Sequence, residues 1–283
     1  MKFRLFVTLI LLSQTFLLCQ VYKEIDVKIY ESKIKLAEKT SLKSKPIGEV
    51  ISVIGNSFLG TDYKAFALER GDKEKLVVDL TGLDCTTFIE SVLAIARNIK
   101  KDSASFDNFT KELTYIRYRS GIINKYPSRL HYFSDWIFDN AKKKVVIDIT
   151  KDLGGEPIRF DLDFMSTHPE LYKHLNETPA NVPIIKSQED LIYSRTYYYL
   201  QKNKIKSIEA KLISGDIIAF TTSVKGLDIS HTGIAIRLKD GSIHLLHAPQ
   251  QNTKVQITKE PLSDYIFKLK KDTGIIVSRA LEL

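Results

Sequence analysis

The segment Leu76-Val77-Val78-Asp79-Leu80-Thr81-Gly82-Leu83-Asp84-Cys85-Thr86-Thr87-Phe88-Ile89-Glu90 decides how the chain reads. Leu76 to Leu80 is strand-like. The run from Phe88 to Ile99 is helix-like, with Phe88, Ile89, Val92, Leu93 and Ala96 as one apolar stripe. Cys85 stands at the turn between the two. The first turn of a helix carries unpaired N–H groups and a partial positive charge, which favour the thiolate, the reactive form of cysteine. Asp84 and Thr86 flank it. They suit either polar contacts with a substrate or the capping and first-turn bonds of the helix.

The N-terminus bears on that cysteine. Met1-Lys2-Phe3-Arg4 is a short basic start, Leu5 to Leu18 is mostly apolar, and polar sequence begins at Tyr22. This is the grammar of a signal peptide over residues 1–19, which leaves 20–283 as a single domain, periplasmic or secreted. Acylation of Cys19 is the rival reading; Leu18 stands where a small residue is usual. Once the leader is removed, Cys85 is the one remaining cysteine. In a compartment where cysteines normally pair, an odd one is either buried and inert or a working thiol. No later run is long and apolar enough to span a bilayer.

A hydrophobic share of 43% and a charged share of 27% fit an ordinary globular domain and exclude disordered or fibrous classes. The formal charge is +8, and loss of Lys2 and Arg4 with the leader lowers it by two. The lysines lie in small scattered groups, such as 142–144 and 202–206, without interleaved arginines and aromatics. That pattern describes a solvated surface, with attraction to an anionic polymer such as cell wall as a second reading. Nucleic acid is not expected as a partner of an exported chain, and a monomer is expected.

Helices are expected over 25–40, 47–58, 85–99, 106–116 and 131–143. Strands are expected over 145–149 and 157–164. Ser187-Gln188-Glu189-Asp190 reads as a helix start, with the helix running on through Tyr199. From Gly215 onward the pattern turns to short β-rich runs over 217–222, 231–238, 243–248, 255–258 and 275–279. Helices first and an antiparallel meander last argue for an α+β fold, with helices packed on a C-terminal antiparallel sheet.

Two histidines fall on those strands. Lys239-Asp240-Gly241 between them is a hairpin signal. A two-residue loop sets Lys239 opposite Ser242 and puts His231 and His247 on opposite faces. A three-residue loop sets Leu238 opposite Ser242, brings His247 opposite Gly233, and places both imidazoles on one face. Gly241 suits the left-handed position that closes such a three-residue loop. A helix-start thiol, a base and a base-orienting residue are the parts of a cysteine hydrolase. His244 has the opposite parity from His247 and is expected outside the site. His168 and His174 read as surface residues. The block His131-Tyr132-Phe133-Ser134-Asp135-Trp136 reads either as a wall for a sugar or peptide or as ordinary packing.

Taken together, these motifs resemble the DUF1460 proteins, an N-acetylmuramoyl-L-alanine amidase-like branch of the NlpC/P60 cysteine hydrolases. The resemblance rests on Leu83 to Glu90, Arg129 to Ile137, Asp163-Phe164-Met165-Ser166, Gly226 to Gly233 and Leu245-Leu246-His247-Ala248. It implies a papain-like fold, with Cys85 as nucleophile, His231 as base and His247 as its orienting residue. It also implies a peptidoglycan substrate cut between the lactyl group of N-acetylmuramic acid and L-alanine, with no cofactor or metal. Tyr63, in Gly60-Thr61-Asp62-Tyr63, matches a tyrosine that reaches into the site of related hydrolases. Asp228 and Ser230 adjoin His231 and are further candidates for polar contacts. Three positions depart from the pattern: Asp62 stands where proline is usual, Phe66 where glycine is, and Pro249 where serine is. A zinc amidase, a wall-binding module without chemistry, and an endopeptidase acting on the γ-D-glutamyl bond of the stem are the competing classes.

Overall fold

The computed structural model describes residues 20–101, 104–250 and 253–283. The expected leader over 1–19, with Cys19, lies outside the described residues.

Five helices fill the first half of the chain: α1 (Glu24–Lys39), α2 (Ile47–Asn56), α3 (Cys85–Lys100), α4 (Phe106–Arg117) and α5 (Phe133–Lys142). With them run four two-residue strands: β1 (Gln20–Val21) before α1, and β2 (Asp62–Tyr63), β3 (Leu76–Val77) and β4 (Gly82–Leu83) between α2 and α3. They pair in parallel, β1 with β3 and β2 with β4. The second half contributes β5 (Val146–Asp148), β6 (Glu156–Ile158), the single turns α6 (Phe164–Thr167) and α7 (Lys173–Asn176), α8 (Val182–Tyr193), β7 (Tyr197–Gln201) and α9 (Lys202–Ile208). Then follow β8 (Ile217–Thr222), β9 (Ile229–Arg237), β10 (Ile243–His247), β11 (Gln256–Ile257), α10 (Leu262–Lys268) and β12 (Asp272–Ala280).

α3 is the axis of the helical half. Asp84 caps it: the Thr87 N–H donates to Asp84 Oδ1 at 2.7 Å, and the Asp84 N–H donates to Thr87 Oγ1 at 2.9 Å. The reciprocal pair fixes where the helix begins and therefore where Cys85 sits. Every residue from Thr87 to Ile99 is buried. Its polar positions are paired rather than solvated. Glu90 accepts from Arg117 Nε at 2.6 Å, and Arg97 Nε donates to Glu112 at 2.5 Å. Losing one partner of such a buried pair typically costs about 3–5 kcal/mol.

The large sheet is antiparallel and runs β11-β10-β9-β8-β12-β7-β6, with β5 pairing to β12. β8 to β11 form the expected meander, but β12 returns to the middle, between β8 and β7. Both faces are covered. Ile217, Ala219, Ile234, Ile236 and Leu246 face the helical core of α2 and α3. Ile218, Phe220, Ala235, Ile243 and Leu245 face Ile205, Leu262 and Ile266 from α9 and α10. The alternation along each strand divides the two cores.

Two expectations are corrected here. The helix expected to start at Ser187 spans Val182–Tyr193, and Tyr199 lies in strand β7. Pro183 in the first turn suits a helix start, and the Tyr197-Tyr198-Tyr199 run prefers a pleated sheet. The strand expected over 157–164 ends at Ile158.

Candidate active site

The β9–β10 hairpin closes with a three-residue loop. The Leu238 N–H donates to the Ser242 carbonyl at 2.9 Å and the Gly241 N–H to the Leu238 carbonyl at 3.0 Å. Gly241 has φ +86°, the left-handed conformation that glycine adopts without strain. The register pairs Leu246 with Ile234, so one residue further His247 stands opposite Gly233. Both imidazoles therefore share a face, the one covered by α10. His231 packs edge-on against Phe220, and His247 against Tyr265.

His231 Nε2 and His247 Nδ1 are 2.8 Å apart. This leaves Nδ1 of His231 as the nitrogen able to take a proton from a thiol. The tautomers follow. If Nδ1 of His231 is to accept, Nε2 must carry the proton and donate to His247 Nδ1. His247 then holds its own proton on Nε2, a buried atom with no partner among the described residues.

A β-bulge lies directly before His231. Phe220 pairs with His231 and Thr221 with Ile229, so Ser230 is the extra residue. Bulges bend the strand and re-aim the neighbouring side chain. The Ser230 hydroxyl is held by Asp272 at 2.5 Å. On the other side of the strand, the Thr232 hydroxyl donates to the Cys85 carbonyl at 3.0 Å and ties β9 to the start of α3.

Cys85 is the first residue of α3 and is partly exposed. It lines two cavities. One, of about 160 Å³, is shared with Thr86, His131, Tyr132, the run Leu227 to Ser230, His231 and Thr232. The other, of about 330 Å³, is walled by Tyr63, Phe66, Tyr126 and Tyr172, with Asp84, Thr86 and His131 at its base. Tyr63 arrives there because β2 pairs with β4, which sets it beside Leu83, two residues before the cysteine. No hydrogen bond joins Cys85 to His231 among the described residues. Catalytic contacts often close only around a substrate.

Burial controls the protonation states. It pushes the Cys85 thiol up to about 11, helped by the Asp84 carboxylate and opposed by hydrogen bonds from Thr232 and Thr86. It pushes His231 down to about 3, with the His247 charge adding to the effect, and His247 down to about 4. Both shifts favour the uncharged forms, a thiol and a neutral imidazole, at neutral pH. The thiolate expected from the helix start alone is outweighed by desolvation. Tyr63 is raised to about 12 by burial and by Cys85 and Asp84, so its hydroxyl stays a donor.

The remaining candidates divide. Asp84 is the helix cap, and Thr86 lies on both cavities. His131 also lines both; its Nε2 is held by the Tyr126 carbonyl at 3.0 Å, and burial first, then the Arg129 charge, keep it neutral. Asp228 lines the smaller cavity, yet its carboxylate accepts the Ser134 N–H at 2.7 Å at the start of α5 and is an anchor for that helix. Tyr132 turns its ring to the smaller cavity while its hydroxyl donates to Glu189 Oε1 at 2.7 Å. Trp136 does not meet the expectation of a substrate wall. It is 0% exposed, stacked on Phe133 at 4.8 Å, and lines neither cavity. His174 is likewise buried, against Tyr126, rather than on the surface. His244 lies off the site as expected, bound to the Thr258 carbonyl and Ser242.

Sequence reading missed the charged layer beneath the larger cavity. Arg129 donates to Glu69 at 2.5 Å, and Glu90 is paired with Arg117. The partners are 60 and 27 residues apart, and no local spacing announces them. Among the described residues, no group of three His, Cys, Asp or Glu is arranged to hold a metal, and no helix is long and apolar enough to cross a membrane.

Comparison with known proteins follows this geometry. A search of curated proteins found no match. A crystal structure of an N-acetylmuramoyl-L-alanine amidase from Bacteroides uniformis is 37% identical, with a TM-score of 0.78, covering 83% of this chain and 99% of that one. A Bacteroides fragilis protein described provisionally as a xylanase is 41% identical, with a TM-score of 0.75 over 80% of this chain and 99% of its own. A DUF1460 protein from Legionella pneumophila, 22% identical with a TM-score of 0.68 over 90% of this chain and 95% of that one, shares the fold. The profile of the AmiA-like family matches residues 53–275, a span that contains Cys85, His231 and His247, and the chain belongs to that N-acetylmuramoyl-L-alanine amidase-like family.

Proposed function

We propose that this protein is a cysteine amidohydrolase of the NlpC/P60 type, with a papain-like site, that cleaves the amide between N-acetylmuramic acid and L-alanine in peptidoglycan fragments. The observation that carries the reading is the file of three groups. Cys85 opens a helix in the cavity that His231 lines, and Nε2 of His231 lies 2.8 Å from Nδ1 of His247. In this reading the mature domain begins near residue 20 and acts outside the cytoplasm, as a monomer.

The reaction starts from neutral partners. Nδ1 of His231 removes the thiol proton as sulfur attacks the lactyl carbonyl, and His247 steadies the imidazolium that forms. The Cys85 N–H, at the first helical position, has no acceptor within the helix and points its dipole at the developing oxyanion. The Tyr63 hydroxyl is the second donor. Such a donor typically contributes about 3 kcal/mol to the transition state. His231 returns the proton to the leaving amine of L-alanine. Water then attacks the thioester, His231 takes its proton, and the thiol is regenerated with release of the muramic acid carboxylate.

The glycosidase reading suggested by one neighbour finds less support. A glycosidase needs two carboxyl groups free to act on the sugar. In the larger cavity Asp84 is the helix cap, Glu69 is held by Arg129, and Glu90 is buried with Arg117.

The test is mass spectrometry of defined muropeptides after incubation with the protein. A free peptide beginning with L-alanine supports the amidase. Equal cleavage of sugar-free stem peptides supports the endopeptidase instead. Cys85→Ala is expected to abolish turnover while circular dichroism stays unchanged, because a partly exposed thiol contributes little packing. Retained turnover in a folded variant, lost on adding a chelator, would point to zinc.

A further inference from the structure

Phe66 is the most exposed large hydrophobic side chain among the described residues, at 73%, and it stands on the wall of the cavity that Cys85 lines. Its backbone has φ +54°. A bulky residue rarely adopts that conformation, because its Cβ crowds the following carbonyl. An exposed aromatic in a strained backbone contributes nothing visible to the core. Such outliers persist where the surroundings hold them, and they concentrate at functional sites.

The surroundings hold this one. On one side the Lys64 N–H donates to the Leu83 carbonyl at 3.2 Å and its Nζ binds Asp79, which Arg70 also binds from the other flank. On the other, Ala67 is buried and Glu69 is fixed by Arg129. The Glu69 N–H closes the turn on the Phe66 carbonyl at 3.1 Å. The loop is thus pinned at both flanks, with the ring left facing solvent at the cavity.

We infer that Phe66 is a specificity-determining residue whose ring stacks on the apolar face of the substrate's amino sugar. The inference rests on the amidase reading and adds the side of the site on which the sugar lies. The two cavities that meet at Cys85 differ in size; both carry aromatic side chains, with Tyr172 lining both and Tyr132 and Phe133 lining the smaller. The smaller follows consecutive residues of β9 and its approach, a wall suited to an extended peptide. The larger has twice the volume and four aromatic walls, Tyr63, Phe66, Tyr126 and Tyr172. Flat apolar faces with polar tips suit a pyranose ring. The amino sugar therefore lies in the larger cavity and the stem runs along β9.

The experiment compares an N-acetylmuramoyl peptide with the lactoyl peptide that lacks the sugar but keeps the scissile amide. For Phe66→Ala and Phe66→Gly, KM for the sugar-bearing peptide is expected to rise about fivefold to twentyfold with kcat within about twofold, and KM for the lactoyl peptide to change by less than about twofold. Phe66→Trp should keep the wild-type preference. Unchanged KM on both substrates, or an equal rise on both, overturns the inference. Calorimetric binding of the same two peptides to the Cys85→Ala protein and its Phe66 variants separates this from the parent reading. If the wild type cuts neither substrate but Phe66 variants still lose sugar-dependent affinity, the amidase reading fails and the sugar contact stands. Absence of any binding of the muramoyl peptide removes both.

Discussion

At the scale of residues, desolvation sets the chemistry more than the helix dipole does. A cysteine at a helix start reads as a thiolate, yet the same burial that shields the site favours uncharged groups on both partners. With His231 near 3 and the thiol near 11, the base is neutral above the first value and the thiol intact below the second. The sign follows for kcat/KM, which reports the free protein. Activity should be flat from about pH 5 to about pH 9, with the acid limb falling only as the joined pair of His247 and His231 gains a proton, well below the ordinary histidine value. A pH–rate profile on a defined muropeptide checks this. A bell with its acid limb near pH 6.5, the ordinary histidine value, would mean that His231 is not held neutral. Tyr63 came only with the family resemblance; sequence reading alone offered Cys85 and His231 as candidates. It could not tell Trp136, sealed against Phe133, from an aromatic at a cavity, because burial is a property of the assembled molecule.

At the scale of elements, the hairpin was readable. Gly241 and the parity of two histidines implied a three-residue loop, and the loop brought the rings together. The bulge at Ser230 was not readable, since it depends on how β8 and β9 settle against each other. The helices over 47–56, 85–100 and 106–117 were legible because their apolar spacing is local. The helix of 182–193 was misplaced because a polar start pattern at Ser187 competed with Pro183. Two glycines test the hairpin. Gly241→Ala meets open space but keeps φ +86°, and should cost about 1 kcal/mol of stability with kcat/KM intact. Gly233→Ala puts its new carbon 2.6 Å from the Leu245 side chain. It should cost about 1–3 kcal/mol and also lower kcat/KM, because Leu245 lies two residues from His247 on the same face. Urea unfolding and steady-state kinetics read the two effects separately.

At the scale of the whole molecule, the order of strands is the part that no local pattern carried. A β-rich tail was legible, but the pairing of β12 with β5, β7 and β8 joins residues more than seventy and more than a hundred positions apart for β7 and β5. Helices on both faces of the sheet follow from that closure. β12 supplies Ile275, Ile276 and Val277, each 0% exposed, to both cores at once. A chain stopped after Lys271 is therefore expected to lose cooperative unfolding altogether, seen as the absence of a sigmoidal urea transition. A folded truncated protein would show that the two cores can form without their shared strand.

The central position of β12 has a consequence in time as well as in space. Pairings between distant segments are slow to form, because loop closure must be achieved before the contacts reward it. Here the strand that joins the two cores comes later in the sequence than every strand it pairs with. Until residues 272–280 dock, β8 has an unpaired edge and each core lacks the side chains that β12 supplies. The helical half can collapse early, but the sheet face that carries the histidine pair is complete only once β12 has docked beside β8.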